Sequence, residues 1–218
     1  SNLTSGFKER NGEMADTYTK AWLNYGPVAP SEDASYFTHI LCPRQGDPVL
    51  DNAVWELRTG AQGMYGVDPL VISAASGQGG TIELAVDPTL NTVKEGYTLQ
   101  SDDTRVKITG KAPVGALYGA FHVLRLTATG KSLRGLDLCV NPSARWRILN
   151  HWDMFLPMSA GNTDGFLGKS LFFQRGEIVC NERTRDYLRM LASVGINGLA
   201  MHNVNVYNDA LDMILPRF

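Results

Sequence analysis

The chain has 218 residues, 44% of them hydrophobic, and a net charge of -2 at pH 7. That is apolar material for one large domain or two small ones, and no basic stripe recommends nucleic acid or an anionic membrane surface as a partner. No apolar run reaches the ~20 residues of a membrane span, and Cys42, Cys139 and Cys180 show no metal-ligand spacing and no even count for a disulfide framework.

The start, SNLTSG, has Ser1 where a Met would stand, as a chain does when a cloning remnant leads it or once a targeting segment is removed. The compartment is open on these grounds, with the periplasm or exterior marginally favoured over the cytoplasm. Residues 1–20 read as a loose polar lead-in. In YTKAWLNYG, residues 18–26, Tyr18, Trp22 and Tyr25 share a face of a short element that Pro27 and Pro30 break. Residues 48–58 read as a helix with Leu50, Val54 and Leu57 inward, and TGAQGMYG, residues 59–66, as its stop.

Strands are expected at 69–75 (PLVISAA) and 81–88 (TIELAVDP), the second alternating Ile82, Leu84 and Val86. SGQGG is the turn between them. EGYTLQSDDTRVKITG supplies two more, 96–100 and 105–109, joined by SDD. The pattern predicts a sheet made of hairpins. Residues 112–130 (APVGALYGAFHVLRLTATG) read as a helix, with Pro113 in its first turn and Gly130 at its end. Val114, Leu117, Phe121 and Leu124 would share a face, and Gly115 and Gly119 would let the helix lie close on the sheet. LDLCVNP closes this unit as a strand ending at Pro142. Residues 1–142 are thus an α+β domain: a hairpin-rich sheet with helices on one face.

After Pro142 the pattern changes. RWRILNHW is a strand, residues 153–180 a long loop, and NERTRDYLRMLASVG a helix capped by Asn181 and ended by Gly195, with Tyr187, Leu188, Leu191 and Val194 inward. INGLAMHNVNV is a second strand, and NDALDMILPRF starts a further helix. Strand, helix, strand makes a βαβ unit with parallel neighbours.

Ligands in parallel α/β architectures bind outside the carboxyl ends of the strands. Asn150, His151, Trp152 and Asp153 lie at one such end; His202, Asn203 and Asn205 lie at the next. Amides and a carboxylate bond hydroxyls, and an indole covers the apolar face of a pyranose, so the rim suits a sugar. Each residue alone reads equally well as part of a packed structural corner. It is the two clusters together that point to a ligand. Asp153 is weaker as a catalytic carboxylate than as a contact. Glu177, Asp164, Lys169 and Arg175 read as loop charges, and Arg145 and Arg147, at the far end of the strand, as structural.

Three stretches carry a resemblance: GALYGAFHVLRL (115–126), RWRILNHWD (145–153) and RDYLRMLASVGINGLAMHNVNV (185–206). With AWLNY near the start, they resemble glycoside hydrolase family 67, the α-glucuronidases. The resemblance implies that residues 1–142 are the family's N-terminal α+β domain, similar also to the accessory domain of β-hexosaminidases. Residues 143–218 would open a (β/α)8 catalytic barrel, truncated after two of its eight strands. It implies removal of (4-O-methyl)-glucuronic acid from xylo-oligosaccharides or glucuronoxylan fragments by inverting hydrolysis, with no metal or organic cofactor. Trp152 matches a tryptophan lining the uronic-acid subsite, and Asn203 and Asn205 match the second rim motif. The stretch after Asp153 departs from the family pattern and keeps only its glycines and GKS, so the subsite differs in shape or charge.

The catalytic carboxylates are expected beyond residue 218, and this chain alone is expected to be inactive. Its uncovered sheet edges should pair with the rest of the barrel or with a second copy as a homodimer. Two other readings compete: a non-catalytic carbohydrate-binding or assembly module, and a hexosaminidase-like enzyme, against which LNHWD speaks.

Overall fold

A computed structural model describes residues 23–75, 79–151, 172–174, 177–178 and 180–201. Two compact units divide the chain: Tyr25–Arg145, and a second that takes Ser1–Asn24 and Trp146–Phe218.

The first unit opens with a 3-10 helix, Glu32–Thr38, and strand β1, His39–Leu41. Helix α1, Pro48–Tyr65, follows, then β2 (Leu70–Ile72), β3 (Thr81–Val86), β4 (Tyr97–Ser101) and β5 (Arg105–Gly110). Helix α2, Pro113–Ala128, and β6, Asp137–Val140, complete it. The six strands form one sheet in the order β2-β1-β3-β5-β4-β6. β2, β1, β3 and β5 are mutually parallel, while β4 runs antiparallel to both β5 and β6.

This corrects the expectation of a hairpin-rich sheet. In this sheet only β4 and β5 form a hairpin. β2 and β3, expected to pair through SGQGG, are parallel and separated by β1. A three-residue strand has too little periodicity to announce itself, yet β1 takes ladder hydrogen bonds on both sides. Eight linking residues, 73–80, reach about 26 Å extended, enough to run back along so short a strand and cross β1.

The helices pack on one face, as the pattern predicts. Ile40, Ile82, Leu84, Tyr97, Leu99, Val106 and Ile108 bury against Leu50, Ala53, Leu57, Ala61, Ala116, Ala120, Val123 and Leu124. α1 starts with Asp47 accepting from the N–H groups of Val49 and Leu50 and with Pro48 in its first turn. It does not stop at TGAQGMYG. Gly60 and Gly63 are contact points inside it: a Cβ on Gly60 would meet a Leu124 methyl at 2.3 Å, and one on Gly63 the Tyr25 carbonyl at 2.1 Å. Tertiary contact overrides their poor helix propensity. The actual stop is Gly66, left-handed at φ 69.

α2 lies on the sheet through Gly115 and Gly119, as their spacing predicts. A Cβ on Gly115 would sit 2.4 Å from the Gly96 carbonyl oxygen, and one on Gly119 2.4 Å from an Ile108 methyl. Because the backbone itself makes the contact, the buried face turns toward Ala116, Ala120, Val123 and Leu124, and leaves Val114 and Leu117 half-buried. Two buried carboxylates tie distant segments to this core. Asp33 accepts from the Leu133 N–H at 2.9 Å, and Glu56 from the Tyr25 hydroxyl at 2.8 Å.

The second unit is a βαβ pair. β7, Ile148–His151, and β10, Gly198–Met201, are parallel neighbours, with α3, Glu182–Ser193, between them in sequence. Inside the expected long loop, β8 (Phe173–Gln174) and β9 (Glu177–Ile178) form a two-residue antiparallel bridge. Asn181 caps α3 as expected, in a reciprocal box with Thr184. Its inner face is Thr184, Tyr187 and Leu191, against Phe172, Leu149 and Leu199. Leu188 and Val194, expected inward, are 48% and 61% exposed. Leu188 stands one position, about 100°, off the face that Tyr187 centres, and Val194 is the C-cap, already out of the helical period. Of the proposed element at 18–26, residues 18–22 lie outside the described residues and residues 23–26 form no helix or strand; the helix after residue 207 lies outside the described residues.

Candidate functional site

Parallel pairing sets Ile148 opposite Gly198, Leu149 opposite Leu199, Asn150 opposite Ala200 and His151 opposite Met201. Both strands can be followed to the same level, with His151 beside Met201 as the last described residue of each. Strand alternation divides the pair into two faces. Leu149 and Leu199 pack toward α3, while Ile148 and Asn150 are exposed on the other side, with Gly198 and Ala200 beside them. Asn150 is thus an exposed amide on the face away from α3. His151 is the last residue of β7. Trp152, Asp153, His202, Asn203 and Asn205 lie outside the described residues, as do Asp164, Lys169 and Arg175.

The opposite end of the pair is built by Arg147 and Asn197. The Arg147 N–H donates to the Asn197 side-chain oxygen at 2.9 Å, and the Asn197 N–H to the Arg147 carbonyl at 3.0 Å. The Arg147 Nε–H donates to the carbonyl of Gly195, where α3 ends. A cation at a helix C-terminus meets both unpaired carbonyls and the negative end of the dipole. Arg147 therefore has the structural role its position in the sequence suggests. Asn197 was not singled out in the sequence; its signal is an amide placed between the helix-ending Gly195 and the start of the next strand.

Glu182 and Asp186, described carboxylates of this unit, are on α3, where Asp186 accepts from Arg189 at 2.5 Å. They stand on the helix and not at a strand end. Among the described residues, no group of three His, Cys, Asp or Glu side chains could hold a metal ion, and no helix is long and apolar enough to cross a membrane. Cys139 and Cys180 are exposed free thiols, and Cys42 is a buried one.

The sequence model of the glycosyl hydrolase family 67 N-terminus matches residues 21–123, and that of the family 67 middle domain matches 126–216. The chain belongs to glycoside hydrolase family 67. The boundary between the two family 67 models falls inside α2, whereas the compact units part between Arg145 and Trp146. The chain is 32% identical over 215 residues to a probable alpha-glucuronidase A of Aspergillus terreus, covering 88% of this chain and 24% of that protein. It is 32% identical over 217 residues to an alpha-glucuronidase of Hypocrea jecorina, covering 88% and 25%. It spans about a quarter of the length of these curated relatives.

Among solved structures, a GH115 4-O-methyl-alpha-glucuronidase with specificity for decorated arabinogalactans superposes with a TM-score of 0.54 at 14% identity, over 75% of this chain and 24% of that one. A GH138 enzyme targeting pectin rhamnogalacturonan II gives 0.52 at 16% identity, over 75% and 23%. These two share the fold with this family 67 chain.

Proposed function

We propose that this chain belongs to an α-glucuronidase-type glycoside hydrolase that removes (4-O-methyl)-glucuronic acid from xylo-oligosaccharides of glucuronoxylan. Residues 1–142 are its N-terminal α+β domain, and residues 143–218 are the first strands and helix of its (β/α)8 barrel. Family membership and the two α-glucuronidase relatives support the reading. The single structural observation that carries it is the parallel register of β7 on β10, followed as far as His151 beside Met201. Asn150 stands opposite Ala200, so the segments Asn150–Asp153 and His202–Asn205 continue from the same end of one parallel pair. This is the end at which barrel enzymes bind substrate.

The chemistry follows from the residue types. The amides of Asn150, Asn203 and Asn205 bond sugar hydroxyls, the Trp152 indole covers the ring, and His151, Asp153 and His202 complete the polar rim. Inverting hydrolysis takes one carboxylic acid to protonate the leaving oxygen and one carboxylate to activate water on the opposite face. The two stand roughly 6.5–9.5 Å apart. Those groups belong to later strands of the barrel, so the 218-residue chain binds and does not turn over.

The test is a titration of the chain with glucuronate-bearing and unsubstituted xylo-oligosaccharides, beside a turnover assay on the former. The reading expects a preference for the uronate, its loss in Trp152→Ala, and no hydrolysis. Equal affinity for both sugars would remove the assignment of the rim, and hydrolysis by the chain alone would remove the assignment of the carboxylates.

A further inference from the structure

The register of β7 on β10 is under-determined by strand alternation. A slip of one residue would turn Leu149 or Leu199 away from α3, so the core forbids it. A slip of two keeps every side chain on its face, so the alternation alone does not forbid it. Something beyond alternation must forbid it.

Three features at the amino ends of the strands do so. Arg147 and Asn197 exchange hydrogen bonds, N–H to side-chain oxygen at 2.9 Å and N–H to carbonyl at 3.0 Å. The Arg147 guanidinium holds the Gly195 carbonyl. Gly198 has no Cβ where one would lie 2.9 Å from Ile148 Cγ1, so the largest residue on that face sits against the smallest. In either two-residue slip, all three are lost together.

We infer that Arg147 and Asn197 are positioning residues: from the far end of the strands they fix which residues of β7 and β10 end level. Asn197 is the key member. Its side-chain oxygen takes the place of a ladder carbonyl one step before the β10 ladder begins, and it can accept from Arg147 N–H in only one register. The consequence for the sugar rim rests on the function proposed above, but the register claim does not, and the two are tested separately.

Cross-linking reads the register. In a Cys139→Ser, Cys180→Ser background, Asn150→Cys with Ala200→Cys places two thiols on directly paired residues. Their Cα atoms are about 4.8 Å apart, inside the disulfide range. A two-residue slip takes that pair to about 8 Å, beyond bridging. It brings together instead Asn150→Cys with His202→Cys in one direction, or Trp152→Cys with Ala200→Cys in the other.

Under copper-phenanthroline oxidation the 150–200 pair should dominate. Adding Asn197→Ala should lower its yield at least threefold and raise one of the slipped pairs, Arg147→Met should do the same more weakly, and Asn197→Asp, which keeps the acceptor, should restore the native pattern. An unchanged 150–200 yield in both Asn197→Ala and Arg147→Met overturns the proposal. So does a fall at 150–200 with no rise at either slipped pair, which marks a plain loss of structure. The rim is read apart from this, by titrating cysteine-free-surface Asn197→Ala and Asn197→Asp chains with the two sugars. Should the register shift while the parent chain never preferred the uronate, the saccharide assignment fails and the positioning role stands.

Discussion

The two units solve the same problem, burying one face of a sheet, to different degrees. In Tyr25–Arg145 a six-stranded sheet carries two long helices, and Tyr36, Phe37, Ile40, Leu57, Ile82, Leu99, Val106 and Ile108 are wholly inaccessible. Among the described residues from Trp146 onward, a two-stranded parallel sheet carries one helix. Its buried apolar residues, among those described, are Phe172, Tyr187 and Leu191. Trp146, Ile148, Leu188 and Val194 are 48–66% exposed there. A sheet of two strands has less face to bury than one of six. The first unit holds its shape by packing. The second relies on local devices: the Asn181–Thr184 box, the Arg147–Asn197 exchange and the Gly195 stop.

The comparison breaks most directly if the units are separated. Residues 25–145 expressed alone should melt cooperatively, and residues 146–218 alone should give no cooperative transition by circular dichroism or calorimetry. The reverse result would mean that the exposed apolar residues do not report stability.

Point substitutions sharpen it, and Gly115→Val has the largest expected effect. Its side chain meets backbone, the Gly96 carbonyl, which has no rotamer to yield, so a loss of about 3 kcal/mol or more is expected in denaturant melts. Asp33→Ala strands the buried Leu133 N–H, joined across a hundred residues of chain, and should cost about 1–3 kcal/mol. In the second unit, Asn181→Ala removes the α3 cap and should cost about 1 kcal/mol, read as loss of amide protection confined to α3.

The smallest effect is one of pH. His122 Nδ1 lies 3.0 Å from the Tyr97 hydroxyl between α2 and β4. Burial first, then the fields of Arg125 and Lys131, hold its imidazole below the usual histidine range. The unfolded chain therefore takes up the proton more readily. The stability that the neutral ring contributes is present above about pH 6.5 and is lost as pH falls through that value toward the depressed one. Asp87 and Asp102 are held below the usual carboxylate range by hydrogen bonds from Thr89 and Thr104, so both stay charged in the folded chain between pH 7 and 5. Melting temperature should thus fall between pH 7 and 5, and His122→Phe should flatten that slope. An equal slope in the variant would place the sensitivity elsewhere.

Local rules reach far into this chain. α2 was legible from Pro113, Gly130 and the Gly115/Gly119 spacing, α3 from Asn181 and Gly195, and the β4–β5 hairpin from its alternation about SDD, because each depends on residues close in sequence. The parallel pairing of β7 and β10 followed from a strand-helix-strand pattern that allows few alternatives. The family was legible from three stretches of residue identity.

Tertiary structure alone decided what depends on distant partners. β1 exists because Leu70–Ile72 and Thr81–Val86 flank it, not because HIL declares a strand, and its insertion turned an expected hairpin into parallel neighbours. α1 runs through Gly60 and Gly63 because Leu124 and Tyr25 need the room. Which side of α3 faces inward followed from where Phe172, Leu149 and Leu199 came to lie. For the site, the sequence named polar residues at two strand ends. Only the pairing shows Asn150 level with Ala200, and only the fold shows Asn197 reaching back to Arg147, since register is a property of two strands together and no single segment encodes it.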